Sequence, residues 1–305
     1  MDAVRRSERT LRRPTEVRGV SFLSGLDVRV RFRPAPAGTG RIFLRDDLPG
    51  RPDVPARVEY VVPRPRRTTI QRGAAVVEMV EHVLAALAGL QIDNCYIDIN
   101  GPETPGVDGS SLAFTQALDA VGAVVQDRER RVVVLNESVS VSEGSATLTA
   151  EPDPDGRMVV AYHLEYDDPT NPIGSQSFEA AMDGTIFRRE MAGSRTFLLA
   201  AEADALRASG IGSRTSETDL LIFGPTGPIG GNVVRFDNEP ARHKALDMVG
   251  DLALLGADLV GRITARRSGH KLNADLVRAV IRASSSPVAG VVGPRGSLPA
   301  ATDAA

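Results

Sequence analysis

The chain has only four histidines, His82, His163, His243 and His270, and three of them lie among acids. His243 and Asp247 are four apart in Ala241-Arg242-His243-Lys244-Ala245-Leu246-Asp247. On a helix this spacing sets both side chains on one face, and Asp251 extends the stripe by another turn. Beside that ridge, Ala245, Met248, Val249 and Leu252 recur with the spacing of a core-facing helix. An i, i+4 His–Asp pair on a solvated surface has the same spacing, so this segment alone leaves both readings open. Glu81-His82 adds weight on the side of chemistry. Val80, Val83, Leu84 and Leu87 form an apolar stripe, whereas His82 shares a face with Ala85, Ala86 and Gly89, small residues that let a ligand or a second backbone come close. An ionisable pair on so apolar a helix is costly unless something binds it, although a hydrogen-bonded core histidine remains the rival reading. Two histidines and one carboxylate, His82, His243 and Asp247, would hold a tetrahedral zinc with one position open, as catalytic sites do. The spacing is not HExxH, so the set has to be assembled across a domain boundary.

The other two histidines read differently. His270 falls in Arg267-Ser268-Gly269-His270-Lys271-Leu272-Asn273, a glycine-containing turn before a helix with Asn273 as its expected cap. A loop histidine there could reach a reacting group, and an exposed turn residue is the plainer alternative. His163 lies in the alternating run Val159–Tyr166 and shares a face with Glu165, as a solvated strand histidine would. The one cysteine, Cys95, can form neither an internal disulfide nor a cysteine zinc cluster, and its apolar neighbourhood suits a small buried side chain.

The elements that must position these groups follow from periodicity. Strands are expected at Val28–Phe32, Arg41–Leu44, Val58–Val62, Thr68–Gln71 and Cys95–Ile99, with helices at Glu78–Leu90 and Ser111–Val121. The charged stretch Asp127-Arg128-Glu129-Arg130-Arg131 marks the boundary between an N-terminal domain, 1–126, and a C-terminal domain, 127–283. Beyond it come expected strands at Arg131–Leu135, Ala146–Glu151 and Met158–Tyr166, then helices at Ile186–Met191 and Glu202–Ala208. Strands at Leu220–Phe223 and Val233–Phe236 precede a long helix Glu239–Leu255, a strand Leu259–Ala265 and a helix Ala274–Ala283. Both halves run strands first, then helix–strand–helix, which hints at an internal duplication and favours α+β over a doubly wound parallel sheet. The tail from Ser284, rich in Ser, Pro, Gly and Ala, has the composition of a disordered segment.

Composition narrows the function classes. With 305 residues, 42% apolar and 25% charged, the chain has the material for two folded domains. A net charge of -3 with interspersed signs, 4% aromatics and no tryptophan argues against nucleic-acid binding. Met1–Arg13 is basic with no apolar stretch after it, unlike a secretory signal, and no window suits a membrane span. The cytoplasm is the expected compartment, and no obligate protein partner is evident.

Several motifs together carry a family resemblance. Met79-Val80-Glu81-His82 through Ile92-Asp93-Asn94, Gly101-Pro102-Glu103, Asp108-Gly109-Ser110, Ser194-Arg195-Thr196-Phe197, Arg242-His243-Lys244 through Gly250-Asp251-Leu252, and Ser268-Gly269-His270 occur in that order. With Arg9-Thr10-Leu11 and Arg33-Pro34-Ala35-Pro36, they resemble the zinc-dependent UDP-3-O-acyl-N-acetylglucosamine deacetylases of lipid A biosynthesis over nearly the whole chain. The resemblance implies two α+β domains with helices sandwiched between two sheets and a site at their junction. It implies Zn2+ on His82, His243 and Asp247, Glu81 as general base, His270 as general acid and Asp251 as the carboxylate orienting it. Thr196 would help hold the oxyanion, Phe197 would line the substrate site, and Lys244 would contact the polar head of an acylated UDP-amino sugar. The stretch 197–223 would enclose the acyl chain. Four places depart from the pattern: Leu23 stands where a histidine is usual, Lys271 where a small residue is, Glu151 where some relatives have a lysine, and Gly212-Ser213-Arg214-Thr215-Ser216 where the acyl-chain insert is usually glycine-rich. A deacetylase of another N-acetylated sugar nucleotide, a non-catalytic zinc or lipid-precursor binder, and a metal-independent structural protein are the rival readings. Iron(II) could also occupy such a ligand set.

Overall fold

The computed structural model describes residues 6–217 and 219–285. Two mixed sheets and the helices between them make up an α+β fold. The N-terminal sheet is ordered Thr15–Val20, Asp27–Pro34, Cys95–Ile99, Arg41–Arg45, Asp53–Pro55. Its neighbours pair antiparallel except Cys95–Ile99 with Arg41–Arg45, which are parallel. In Asp27–Pro34 the alternation turns Val28, Val30 and Phe32 inward and leaves Asp27 and Arg31 exposed. The C-terminal sheet runs Val139–Glu143, Ala146–Glu151, Asp258–Arg266, Met158–Leu164, Gln176–Ala181, with Val132–Val134 also pairing to Asp258–Arg266.

The two sheets follow one plan. In each, a late strand is inserted at the middle of the path, antiparallel to one neighbour and parallel to the other. The helix before that late strand is α1 (Glu81–Gly89) in the first half, and the helix after it is α2 (Leu112–Val121). The second half repeats the pattern after an excursion, inserted behind its first strands, that carries α3 (Ala200–Ala208); its own helices are α4 (Glu239–Leu252) and α5 (His270–Ser285). The duplication that the order of elements suggests is thus present as topology. Corresponding helices α1 and α4 pack directly against each other, and one apolar core runs through both halves. A Cβ on Gly250 of α4 would lie 2.1 Å from the carbonyl oxygen of Glu81, so only glycine permits this crossing.

Several expectations need correction. Val233–Phe236 is no strand, because side chains take its backbone groups: Val233 O accepts from Arg195 and the Arg235 N–H donates to Glu239. Val58–Val62 begins as a single tight helical turn, and only Val61–Val62 pairs. The helix expected at Ile186 starts at Gly184 and widens over Phe187–Met191, where the Ala192 N–H donates to Phe187 O. Asp127–Glu129, inside the charged boundary, completes the strand Ala123–Glu129, which pairs with Ser7–Leu11. α5 starts at His270 rather than Ala274 and takes in Ser284 and Ser285, the first residues of the expected tail. The remainder of that tail, 286–305, lies outside the described residues. No described helix is long and apolar enough to cross a membrane.

Candidate active site

Glu81 and His82 open α1 immediately after the strand Ala75–Glu78. The turn between them puts Met79 in a left-handed conformation, φ 57°, which Thr104 braces by donating to the Met79 carbonyl at 2.6 Å. Such strain in a non-glycine residue persists only where its surroundings enforce it. In the second half, α4 begins with Glu239 and Pro240, a residue suited to a first helical turn. Glu239 is fully buried and accepts from the Arg195 guanidinium at 2.9 Å and the Arg195 N–H at 3.0 Å. This clamp fixes the chain at Ser194, whose carbonyl lies 3.1 Å from His243 Nδ1. A histidine tied through Nδ1 to a carbonyl presents Nε2 as a free electron pair.

The crossing of α1 and α4 brings His82, His243 and Asp247 together. One potential ligand atom from each lies within 4.8 Å of the others, and all three residues are buried. Asp247 Oδ1 stands 3.4 Å from His82 Nε2 and 3.3 Å from His243 Nε2, and it is a buried acceptor with no hydrogen-bond partner. Two imidazole nitrogens and an orphaned carboxylate oxygen facing one point fit a bound cation. Burial pushes the His243 imidazole down to about 4, so it is neutral, as a metal ligand must be. Burial acts against ionising Asp247 as well, but the His243 imidazole and the Lys244 ammonium beside it outweigh burial and hold the carboxyl well below its ordinary range. Burial likewise opposes charge on His82, and the Asp247 carboxylate overcomes it and raises that imidazole.

His270 and Asp251 form a second cluster beside the first. His270 Nδ1 lies 3.0 Å from Asp251 Oδ2, leaving Nε2 directed to Glu81 Oε1 and Asp247 Oδ2, each at 3.9 Å. His270 is therefore no mobile loop residue, being the first residue of α5. Asn273 is not the helix cap: its side chain donates to Asp251 at 2.8 Å and accepts from Ser268 at 2.7 Å. Burial disfavours charge on His270, but Asp251 and Glu81 prevail and push it up to about 9. Burial also raises Glu81, against the lowering pull of His270 and His82. Thr68, which the sequence marks only as a strand residue, joins the two clusters. Its hydroxyl donates to Asp251 and its N–H donates to Glu81 at 3.1 Å. Nothing in the local pattern points to Thr68, Asn273 or the Arg195–Glu239 clamp, since each acts through partners distant in sequence.

Of these groups, Thr68, His243, Asp247 and His270 line a cavity of about 1030 Å3. Thr196 lines it with its N–H tied to Gly109 O at 2.7 Å, and Phe197 sets its ring edge-on to His243, centroids 6.2 Å apart. Lys244 also lines it, its ammonium 2.9 Å from Asp247 Oδ2. The excursion builds the apolar side: Phe197–Leu199, α3 and Leu221–Gly224 contribute Leu198, Leu199, Leu206 and Ile222, and Leu220 adds to them from just before the last strand. Leu23 lies on the wall, its N–H donating to Glu103 at 2.7 Å, while Lys271 is exposed and pairs with Glu143 at 2.9 Å. Glu151 is exposed on its strand and His163 sits on the C-terminal sheet, and neither lines the cavity.

A fold of two like-built α+β halves with a candidate metal site at their crossing and a largely apolar cavity beside it defines the class, and comparison with known proteins gives the family. Residues 8–282 match the family model described as LpxC: UDP-3-O-acyl N-acetylglycosamine deacetylase, and the chain belongs to this family. Among its relatives is a UDP-3-O-acyl-N-acetylglucosamine deacetylase of Anaeromyxobacter sp. (strain Fw109-5), 38% identical over 90% of this chain and 88% of that protein. Another protein of that name, from Thermosynechococcus vestitus, is 39% identical over 90% of this chain and 94% of its own. One from Myxococcus xanthus is 34% identical, with 90% and 86% covered.

Proposed function

We propose that this chain removes the acetyl group from the acetamide of UDP-3-O-acyl-N-acetylglucosamine in the cytoplasm, using Zn2+ held by His82, His243 and Asp247. The observation that carries the reading is the orphaned Asp247 oxygen facing two histidines on the wall of a largely apolar cavity, with Glu81 and His270 beside it. When bound, the ion supplies Lewis acidity that makes water nucleophilic near neutral pH and draws charge from an acyl oxygen. Glu81 accepts the proton that water gives up as its oxygen bonds to the acetyl carbon. Thr196 donates to the developing oxyanion, in a site that needs no reorganisation during the step. His270, oriented through Nδ1 by Asp251, delivers a proton from Nε2 to the departing amine as the carbon–nitrogen bond breaks. Acetate and the free amino sugar are the products. Thr68 keeps base and acid in register by bonding to Glu81 and Asp251.

The excursion at 197–223 is the acyl-chain enclosure in this reading, and residues 1–126 and 127–283 act as the two domains that bring the ligands together. Each buried methylene contributes about 0.8 kcal/mol, part of which is lost to ordering the chain. The test compares acetate release from acylated and non-acylated UDP-N-acetylglucosamine, each with and without a chelator. The acylated substrate should be favoured by at least about a hundredfold in kcat/KM, and the chelator should abolish both activities. Equal rates on the two substrates would remove the lipid assignment and leave the amidase chemistry standing.

A further inference from the structure

A second cavity, of about 290 Å3, lies where the strand Arg41–Arg45 begins and the turn after α4 passes, and it shares no lining residue with the first. Arg41, Arg57, Arg128, Arg130 and Arg131 line it, against the carboxylates of Glu8 and Asp93. Both carboxylates are already committed. Asp93 takes the Arg6 guanidinium at 2.6 and 2.8 Å and Arg130 Nε at 3.1 Å, and Asp258 shares the same two arginines. Glu8 accepts from the Gly38 N–H at 2.7 Å and from Asn94 at 2.9 Å, and it stands 3.7 Å from Arg128. Arg57 faces Glu59 at 3.5 Å. Arg41 and Arg131 have no carboxylate within ion-pair range among the described residues.

Arg41 is only 9% exposed. Its Nε donates to the Ile92 carbonyl at 2.9 Å, while its two Nη groups meet no acceptor among the described residues. Burial, with the nearby charge of Arg130, pulls its pKa down to about 10. Asp93 and Asp258 act on Arg41 only from beyond ion-pair range, and so enclosed a guanidinium without an anion in contact is costly. Two glycines keep the flanking arginines close to bare backbone. A Cβ on Gly38 would come within 1.9 Å of Arg128 Nη1, and one on Gly256 within 2.2 Å of Arg57 Nη1.

We propose that this cavity binds a compact phosphate oxyanion, either inorganic phosphate or the diphosphate of a nucleotide, between the buried Arg41 and the exposed Arg131. A guanidinium fork matches phosphate oxygens two at a time. At about 30 Å3 per water in the liquid, the cavity has room for about ten waters, enough for one or two phosphate groups. It falls just under the size range of pockets that enclose whole organic ligands.

The experiment titrates the full chain with inorganic phosphate, inorganic pyrophosphate and UDP by calorimetry, beside Arg41→Gln and Arg131→Gln. Phosphate or pyrophosphate should bind at one site, and that affinity should fall at least tenfold in one or both variants. Because Arg131 is exposed and unpaired, Arg131→Gln should keep the unfolding midpoint of the parent in phosphate-free buffer, which separates lost binding from a lost fold. A UDP affinity that falls in step identifies the nucleotide as the source of the anion. A UDP affinity that stays constant while phosphate binding falls identifies the free ion. No binding at millimolar phosphate or pyrophosphate, or the same affinity in all three proteins, would overturn the site.

Discussion

Gly250→Ala tests whether the helix crossing sets the geometry of the proposed base. The new Cβ would start 2.1 Å from Glu81 O, whereas real Cβ atoms essentially never approach other atoms closer than 3.0 Å. Relief therefore demands that α1 and α4 separate by about 0.9 Å at this point, and a misplacement of about 1 Å can cost about a hundredfold in rate. Glu81 lies on one side of the contact and the next residue, His82, is a proposed ligand, so base and ligand would shift together. The overpacked core should also lose about 1–3 kcal/mol of stability. The assay measures kcat/KM for acetate release and zinc content in metal-replete buffer, with denaturant unfolding in parallel. A fall of about a hundredfold in a protein that still folds is the expected result. Turnover within about threefold of the parent, with the destabilisation present, would refute the link between this crossing and catalysis.

His243→Ala should lose the bound metal while His163→Ala keeps about one ion per chain, as elemental analysis would read; equal loss from both would mean the ligand set is wrong. Glu81→Gln should retain fold and metal and lose deacetylation by about a hundredfold or more, and near-normal turnover would remove Glu81 as the base. A last prediction concerns acid stability. Burial works to raise the Asp93 carboxyl, but Arg6 and Arg130 hold it below its ordinary value, so its stabilisation is complete above the unfolded pKa of 3.8 and fades as pH falls through the lower folded one. Arg6→Gln should therefore cost about 1.5–3 kcal/mol at pH 7, and the gap to the parent should narrow below pH ~3.8 in denaturant titrations. A gap independent of pH would exclude this origin.

The elements most legible in the sequence are those whose side-chain pattern follows from their own burial. Cys95–Ile99 and Ala146–Glu151 occur with the expected bounds, since each crosses a sheet. Ser7–Leu11 and Ala123–Glu129 were not legible, because charged residues interrupt their alternation and their pairing joins distant parts of the chain. Val233–Phe236 misleads for the opposite reason: its composition suits a strand, yet Arg195 and Glu239 bind its backbone. At the site, the helical spacing of His243 and Asp247 was plain, and their meeting with His82 was inferred from donor types and the family resemblance, whereas the crossing of the helices that brings them together was not legible. Asn273 has the residue type of a cap, and its side chain turns to Asp251 instead.

The shared plan of the two sheets has a consequence for how the protein responds to damage. His82 belongs to one copy of the repeated unit and His243 and Asp247 to the other, so the proposed ion site lies on a seam that exists only while both copies are docked. An ion that binds the docked state alone stabilises it by mass action, and its removal loosens the union of the halves. The reverse must hold with equal force. A substitution in either half's core that leaves the docked state only partly populated, however far from the ligands, lowers the apparent affinity for the ion. A survey of metal retention would thus map the joint between the copies, and some of its most affected positions would be residues that touch neither metal nor substrate.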